Sequence, residues 1–245
     1  MNDHELPSDG CDVPAPGVTV ARRSFFGTVA AACAAAGLPG AASSWRSRQR
    51  DGDWTVAQFV REVTPVCREL LTDGSARGQD RYLHTLASFA VRLGEVAVPE
   101  DAKEVAPGHR IGSNHGPEPF TVLHWILAPG AVIRPHAHTY GNVVTLGLTG
   151  EARVDNYEQV GAFDGDCTDE IEVVHVQEQV LRRGDVNLVS LARHYVHGFL
   201  AGPQGASGLD ITTRIAPRRK APTLEVGEPK DVARRTFRGR WKVAD

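Results

Sequence analysis

The sequence is sparing in several of the features that identify a protein quickly, and each shortage excludes something. Its four cysteines, Cys11, Cys33, Cys67 and Cys167, show no repeated short spacing, which rules out a zinc knuckle or a disulfide framework. No stretch approaches the roughly twenty apolar residues that a spanning helix requires, so no stable membrane insertion of the mature chain is expected. Basic residues do not predominate: 27 Lys and Arg stand against 30 Asp and Glu, for a net charge of -3. A phosphate-neutralising surface is therefore absent, and no nucleic-acid partner is expected. There is no internal repeat. What the 245 residues do have is 25 Gly, 15 Pro and a 41% hydrophobic fraction, the make-up of a turn-rich globular chain with one domain and some extra elements.

Residues 1–42 read as an address. Ala21-Arg22-Arg23-Ser24-Phe25-Phe26-Gly27 precedes an Ala-rich apolar run from Thr28 to Ala36 and a small-residue end at Gly40-Ala41-Ala42. The order of paired Arg, spacer, two aromatics and weakly apolar segment resembles a twin-arginine export signal, with cleavage after Ala42. That resemblance implies the export machinery as a partner and a periplasmic or otherwise extracytoplasmic destination. The alternative is a short capping helix of a cytoplasmic protein.

A polar linker follows over 43–53. Within 54–98, Val56, Phe59, Val60, Val63, Val66, Leu70 and Leu71 recur at helical spacing, and after Asp73-Gly74-Ser75 so do Tyr82, Leu83, Leu86, Phe89, Ala90 and Leu93. Two amphipathic helices are expected there. Over 99–217 the texture changes to short β-rich runs, Phe120 to Leu127, Val143 to Leu148, Glu151 to Tyr157, Ile171 to Val176 and Val186 to Leu191, with Gly, Pro and Asp between them. Such spacing predicts a mainly β sandwich or barrel with the helices packed outside it. The turn residues of Gly147 to Gly150 predict a hairpin between the second and third of these runs. An acidic loop from Gly161 to Glu170 lacks the ligand order of a calcium site and reads as a surface turn. The basic tail, 218–245, reads as a solvated strand or arm.

The informative segment is Pro135-His136-Ala137-His138-Thr139-Tyr140-Gly141. Residues two apart on an extended chain face the same side, so His136 and His138 can present both imidazoles to one ion. A third ligand is sought in Arg193-His194-Tyr195-Val196-His197-Gly198-Phe199. His194 and His197 are three apart and point to opposite faces of a strand; the apolar pattern around His197 selects it, whereas His194 sits beside Arg193 in an expected turn. His4, His84, His109, His115, His124 and His175 lack paired spacing and read as structural or surface residues. His124, beside Trp125 on an apolar strand, needs a hydrogen-bond partner if buried.

These two segments resemble the cupin superfamily, in the motif from Gly130 to Gly150 and in the Gly-Asp-strand-turn-His motif from Gly184 to His197. The resemblance implies a double-stranded β-helix barrel. Many metal cupins place a glutamate shortly after the second histidine, where this chain has Thr139, Tyr140, Gly141, Asn142 and Val143. That absence resembles the thiol dioxygenases, which hold ferrous iron with three histidines alone, and in particular cysteamine dioxygenase and the plant cysteine oxidases. Gly150 to Tyr157, His197-Gly198-Phe199 and Leu209-Asp210-Ile211 resemble further parts of their pattern. The chain departs from it at His194-Tyr195 and Ala216-Pro217-Arg218.

The resemblance implies one Fe(II) per chain on His136, His138 and His197, although imidazole sites also accept other divalent metals. Three neutral ligands leave the ion its full positive charge, which favours a thiolate substrate; with O2 the product is a sulfinate. The implied substrates are a small thiol, such as cysteine or cysteamine, and O2. Asp210 is the candidate for orienting substrate or water, and Tyr140, with Trp125, for lining the cavity. Two other readings remain open: a different metal-dependent cupin enzyme, such as a non-thiol dioxygenase or an isomerase, and a non-enzymatic cupin that binds a ligand or metal.

Overall fold

The computed structural model describes residues 54–70, 72–116, 119–161, 169–192, 195–216 and 221–242, all within one compact unit spanning 49–245. The export-type segment, the polar linker, His194 and Cys167 lie outside the described residues. Among the described residues no helix is long and apolar enough to cross a membrane.

Among the described residues two helices come first, α1 (Val56–Leu70) and α2 (Ala76–Ala90). Each begins where its sequence satisfies the free N–H groups of the first turn. Thr55 and Gln58 form a reciprocal capping box, with Gln58 N donating to Thr55 Oγ1 at 3.2 Å and Thr55 N donating to Gln58 Oε1 at 2.8 Å. Ser75 caps α2 by accepting from Gly78 N at 3.0 Å. Their apolar faces meet at Phe59, Val63, Cys67, Tyr82, Leu83 and Leu86, all buried.

Ten strands follow among the described residues: β1 (Lys103–Ala106), β2 (His109–His115), β3 (Phe120–Leu127), β4 (Val132–Ala137), β5 (Gly141–Gln159), β6 (Glu170–Leu181), β7 (Val186–Val189), β8 (Val196–Arg214), β9 (Thr223–Asp231) and β10 (Thr236–Lys242). They form one antiparallel sheet in the order β1-β2-β3-β8-β4-β9-β10-β6-β5-β7, and β5 also pairs with β8 along nearly its whole length. The result is a mainly β, closed antiparallel barrel with two described helices on its N-terminal side. The two 19-residue strands, β5 and β8, are its spine.

The expected hairpin at Gly147 to Gly150 is corrected by the structure: β5 runs unbroken through both glycines. Instead of reversing the chain, they shift its register against β8 between Gly147 and Thr149 and again between Gly150 and Ala152. The physical reason is close approach of backbone. A Cβ on Gly147 would meet the Arg182 carbonyl oxygen at 2.2 Å, and one on Gly150, which has φ +63°, would meet the Gly205 oxygen at 2.1 Å.

The C-terminal tail is a second correction. Expected as a solvated strand or arm, it is extended but packed rather than solvated: its described residues form a β9–β10 hairpin, with β9 reaching β4 at His136↔Thr223 and β10 pairing β6 from Thr236 to Arg240. Apolar alternation explains it, since Leu224 and Trp241 are buried together with Ala137, Val173 and Val196. The hairpin thereby closes β8, β4, β9, β10, β6 and β5 into a ring.

Alternation along the spine separates two faces. Trp125, Leu127, Ala152, Val154, Leu181, Phe199, Ala201 and Ala206 pack together on the inner face. On the opposite face, Val122, Val144, Leu146, Leu148, Leu209 and Ile211 pack beneath the helices.

Candidate metal centre

His136 and His197 are brought together by strand pairing. They stand directly opposite in the β4–β8 register, and Asn156 of β5 stands opposite His197 on its other side. His138 lies just beyond β4, its N–H donating to the Tyr195 carbonyl at 3.0 Å, so the chain is still extended where the second imidazole leaves it. The three rings form a nearly equilateral group, with centroids 4.8, 4.9 and 4.8 Å apart. His197 is fully buried and His138 is 8% exposed.

Hydrogen bonds to the outer nitrogens fix which nitrogen faces inward. A carbonyl can only accept, so His136 Nδ1 donates to the Arg134 oxygen at 3.0 Å. His197 Nδ1 points to Asn187 Oδ1 at 3.3 Å, and the Asn187 amide nitrogen is engaged in donating to Asn156 Oδ1 at 2.7 Å. Both imidazoles thus keep Nε2 as an unprotonated donor toward the centre. Burial depresses the pKa of all three, and for His138 and His197 the neighbouring imidazoles depress it further, well below the ordinary histidine value. Neutral imidazole is the form that binds a metal.

The donor set fits a cation. His138 Nε2 and His197 Nε2 are 2.9 Å apart. With the donor atoms of all three imidazoles within 4.8 Å of one another, His136, His138 and His197 would hold a divalent ion between them. Among the described residues no carboxylate joins this group. Asn142 accepts from Leu191 N at 3.2 Å and serves the backbone.

Asp210 lies on the inner face but apart from the three histidines. Leu123, Asp210, Thr145 and Asn187 stand side by side across β3, β8, β5 and β7. Thr145 donates to Asp210 Oδ1 at 2.6 Å. Desolvation raises the Asp210 pKa to about 6, and the Thr145 hydroxyl offsets part of that rise. The Trp125 indole also favours the carboxylate without reaching hydrogen-bond geometry. Tyr140 sits in the bend between β4 and β5, where its carbonyl accepts from the N–H groups of Ile215 and Ala216 at 3.0 Å. Trp125 is on the inner face, 5.4 Å from Phe199, which is in turn 4.7 Å from His197 between ring centroids.

His124 faces away from this centre. It alternates with Trp125 and shares the face of Val122, under the helical side of the sheet. Asn156 and Asn187 were invisible as a pair in the sequence. The available signal was an asparagine amid apolar residues at Val186-Asn187-Leu188-Val189, since a buried amide must be hydrogen-bonded. A second group, Asp155, His175 and Glu178, lies on the other face of β5 and β6. Its imidazole is held between Asp155 Oδ1 at 2.9 Å and an Arg235 guanidinium nitrogen at 2.6 Å, so both ring nitrogens are already engaged.

No protein-family model matches the chain, and no curated protein matches it. Solved structures do. KdgF from a Halomonas species is 20% identical, with 49% of this chain and 90% of that chain covered at a TM-score of 0.35. An uncharacterized conserved protein with a double-stranded β-helix domain from Klebsiella pneumoniae is 19% identical over 48% of this chain and 87% of that one, at 0.36. A recombinant oxalate oxidase in complex with glycolate is 16% identical over 50% and 60%, also at 0.36.

Proposed function

We propose that the chain is a mononuclear metal enzyme that oxidises a small thiol to a sulfinate with O2, using Fe(II) held by His136, His138 and His197. The observation that carries this reading is a cluster of three neutral imidazoles that no carboxylate joins among the described residues. When bound there, the metal supplies an undiminished positive charge for a thiolate and a place for O2. The reaction balances without a further reductant, because a thiol and one O2 contain all the atoms of a sulfinic acid.

The protein's own groups have defined tasks in this reading. Arg134 O and Asn187 orient two of the ligands. Asp210, with a pKa near 6, accepts the proton that the thiol gives up on binding or orients the substrate's polar end. Tyr140, two residues after His138, is the candidate for lining the cavity, and Trp125 and Phe199 form an apolar wall that limits water. Export along a twin-arginine route, directed by residues 1–42, belongs to the same proposal and suits a protein that takes up its metal before transport.

Oxygen uptake by the anaerobically iron-loaded protein with cysteine, cysteamine, mercaptopropionate and a Cys-initiated peptide tests the reaction, with sulfinate identified by mass. Uptake with a sulfinate product supports it. Stoichiometric iron with no uptake on any thiol would overturn it in favour of another metal-dependent reaction or of simple binding. At the site itself, His197→Ala is expected to abolish iron binding while His194→Ala leaves it intact; the opposite pattern would overturn the ligand assignment.

A further inference from the structure

Four described imidazoles, not three, face the barrel interior. His109 opens β2 and stands directly opposite Leu127 of β3. Partners in register share a face, and Leu127 belongs to the inner cluster with Trp125 and Phe199, the latter in ring contact with His197. Alternation agrees: Arg110 is exposed, whereas Ile111, the next residue on His109's side, packs against the same cluster. His109 is only 7% exposed, and its Nε2 is buried without a hydrogen-bond partner.

A buried imidazole nitrogen left unpaired costs stability and calls for an explanation. His115 and His124 also carry unpaired ring nitrogens, so this feature alone distinguishes nothing. Position does. His124 lies on the opposite face, and His115 packs its ring 5.5 Å from Phe120 at the far end of β2. His109 lies with Leu127 and Trp125 on the inner face, and Trp125 packs 5.4 Å from Phe199, whose ring is 4.7 Å from that of His197. Its donor atoms fall outside the compact group formed by the three ligands, so it is not a fourth ligand in this arrangement.

We propose that His109 is a substrate-binding residue of the metal centre, its Nε2 hydrogen-bonding the polar end of the thiol held at the three-histidine site. This rests on the metal reading above and adds a substrate contact that neither the ligand spacing nor the inner apolar wall supplies. Inner polar groups then lie on different strands, His109 on β2 and Asp210 on β8, which selects a thiol carrying a second polar group over a simple alkyl thiol.

Cobalt(II) separates the two readings. Wild-type protein, His109→Gln and His109→Phe are loaded with Co(II), metal affinity is measured by competitive titration, and binding of cysteamine and of ethanethiol is followed through thiolate-to-cobalt absorption. The expected result is metal affinity unchanged within about twofold in both variants, with cysteamine Kd raised about tenfold in His109→Phe, less in His109→Gln, and ethanethiol Kd unchanged. A tenfold change corresponds to about 1.4 kcal/mol, the scale of one hydrogen bond. Unchanged cysteamine binding in both variants with metal intact overturns the role of His109 alone. Loss of Co(II) from either folded variant overturns it too, by making His109 a ligand or a purely structural residue. Failure of wild type to bind Co(II) overturns the metal reading and this inference with it.

Discussion

The behaviour of single residues here follows from what surrounds them rather than from their type. Asn187 is uncharged and makes no contact that a sequence would advertise, yet it holds His197 in the tautomer that frees Nε2. Asn187→Ala should weaken Zn(II) or Co(II) binding about 10- to 100-fold by competitive titration, whereas Asn187→Asp, which keeps an acceptor, should retain most of the affinity. Asp210 makes a second case. Its folded pKa, about 6, lies above the ordinary aspartate value of 3.8, so the folded state binds the proton more tightly. The associated stability is fully present below pH 3.8 and is lost as pH rises through about 6, a cost on the order of 3 kcal/mol at neutrality. Asp210→Asn should accordingly stabilise the metal-free protein at pH 7.5 in urea denaturation, and the gain should shrink toward pH 4. A gain that is constant with pH would remove protonation as its cause.

At the scale of elements, the long strands depend on glycine where the sequence suggested turns. Gly150 combines φ +63° with a carbonyl 2.1 Å from where a Cβ would sit, while Gly130, at φ +70°, has open space there. Gly130→Ala should therefore cost only the backbone strain, about 1 kcal/mol, and Gly150→Ala at least twice that, both read by chemical denaturation. Equal costs would mean that β5 yields at the bulge. The helices were legible because their apolar residues recur at helical period; the structure adds the caps, at Thr55, Gln58 and Ser75. Strands β1 and β2 were not. Lys103–Ala106 is wholly exposed, and His109–His115 mixes Gly, Ser, Asn and His without an apolar rhythm, so pairing with β3 rather than composition makes them strands.

For the molecule as a whole, closure is the consequential step. The β9–β10 hairpin joins the β4 and β6 edges, and at the junction Thr223 stands opposite His136. Trp241, 1% exposed, is the largest side chain of the cluster under that hairpin. Trp241→Ala should destabilise the protein by about 3–5 kcal/mol in equilibrium unfolding, as other large core truncations do. A loss below 1 kcal/mol would show that the barrel closes without the hairpin.

The sequence by itself determined the amphipathic helices, the β-rich middle and the two segments that carry His136, His138 and His197, because period and alternation are local properties that survive without a partner. Tertiary structure alone decided that β5 continues through its glycines, that the basic tail completes a ring, that His124 turns away from the centre, and that His109, Asn156 and Asn187 face inward. Each of those outcomes depends on which backbone comes to lie beside which. A register between distant strands is fixed by packing over the whole barrel and leaves no fixed spacing along the chain.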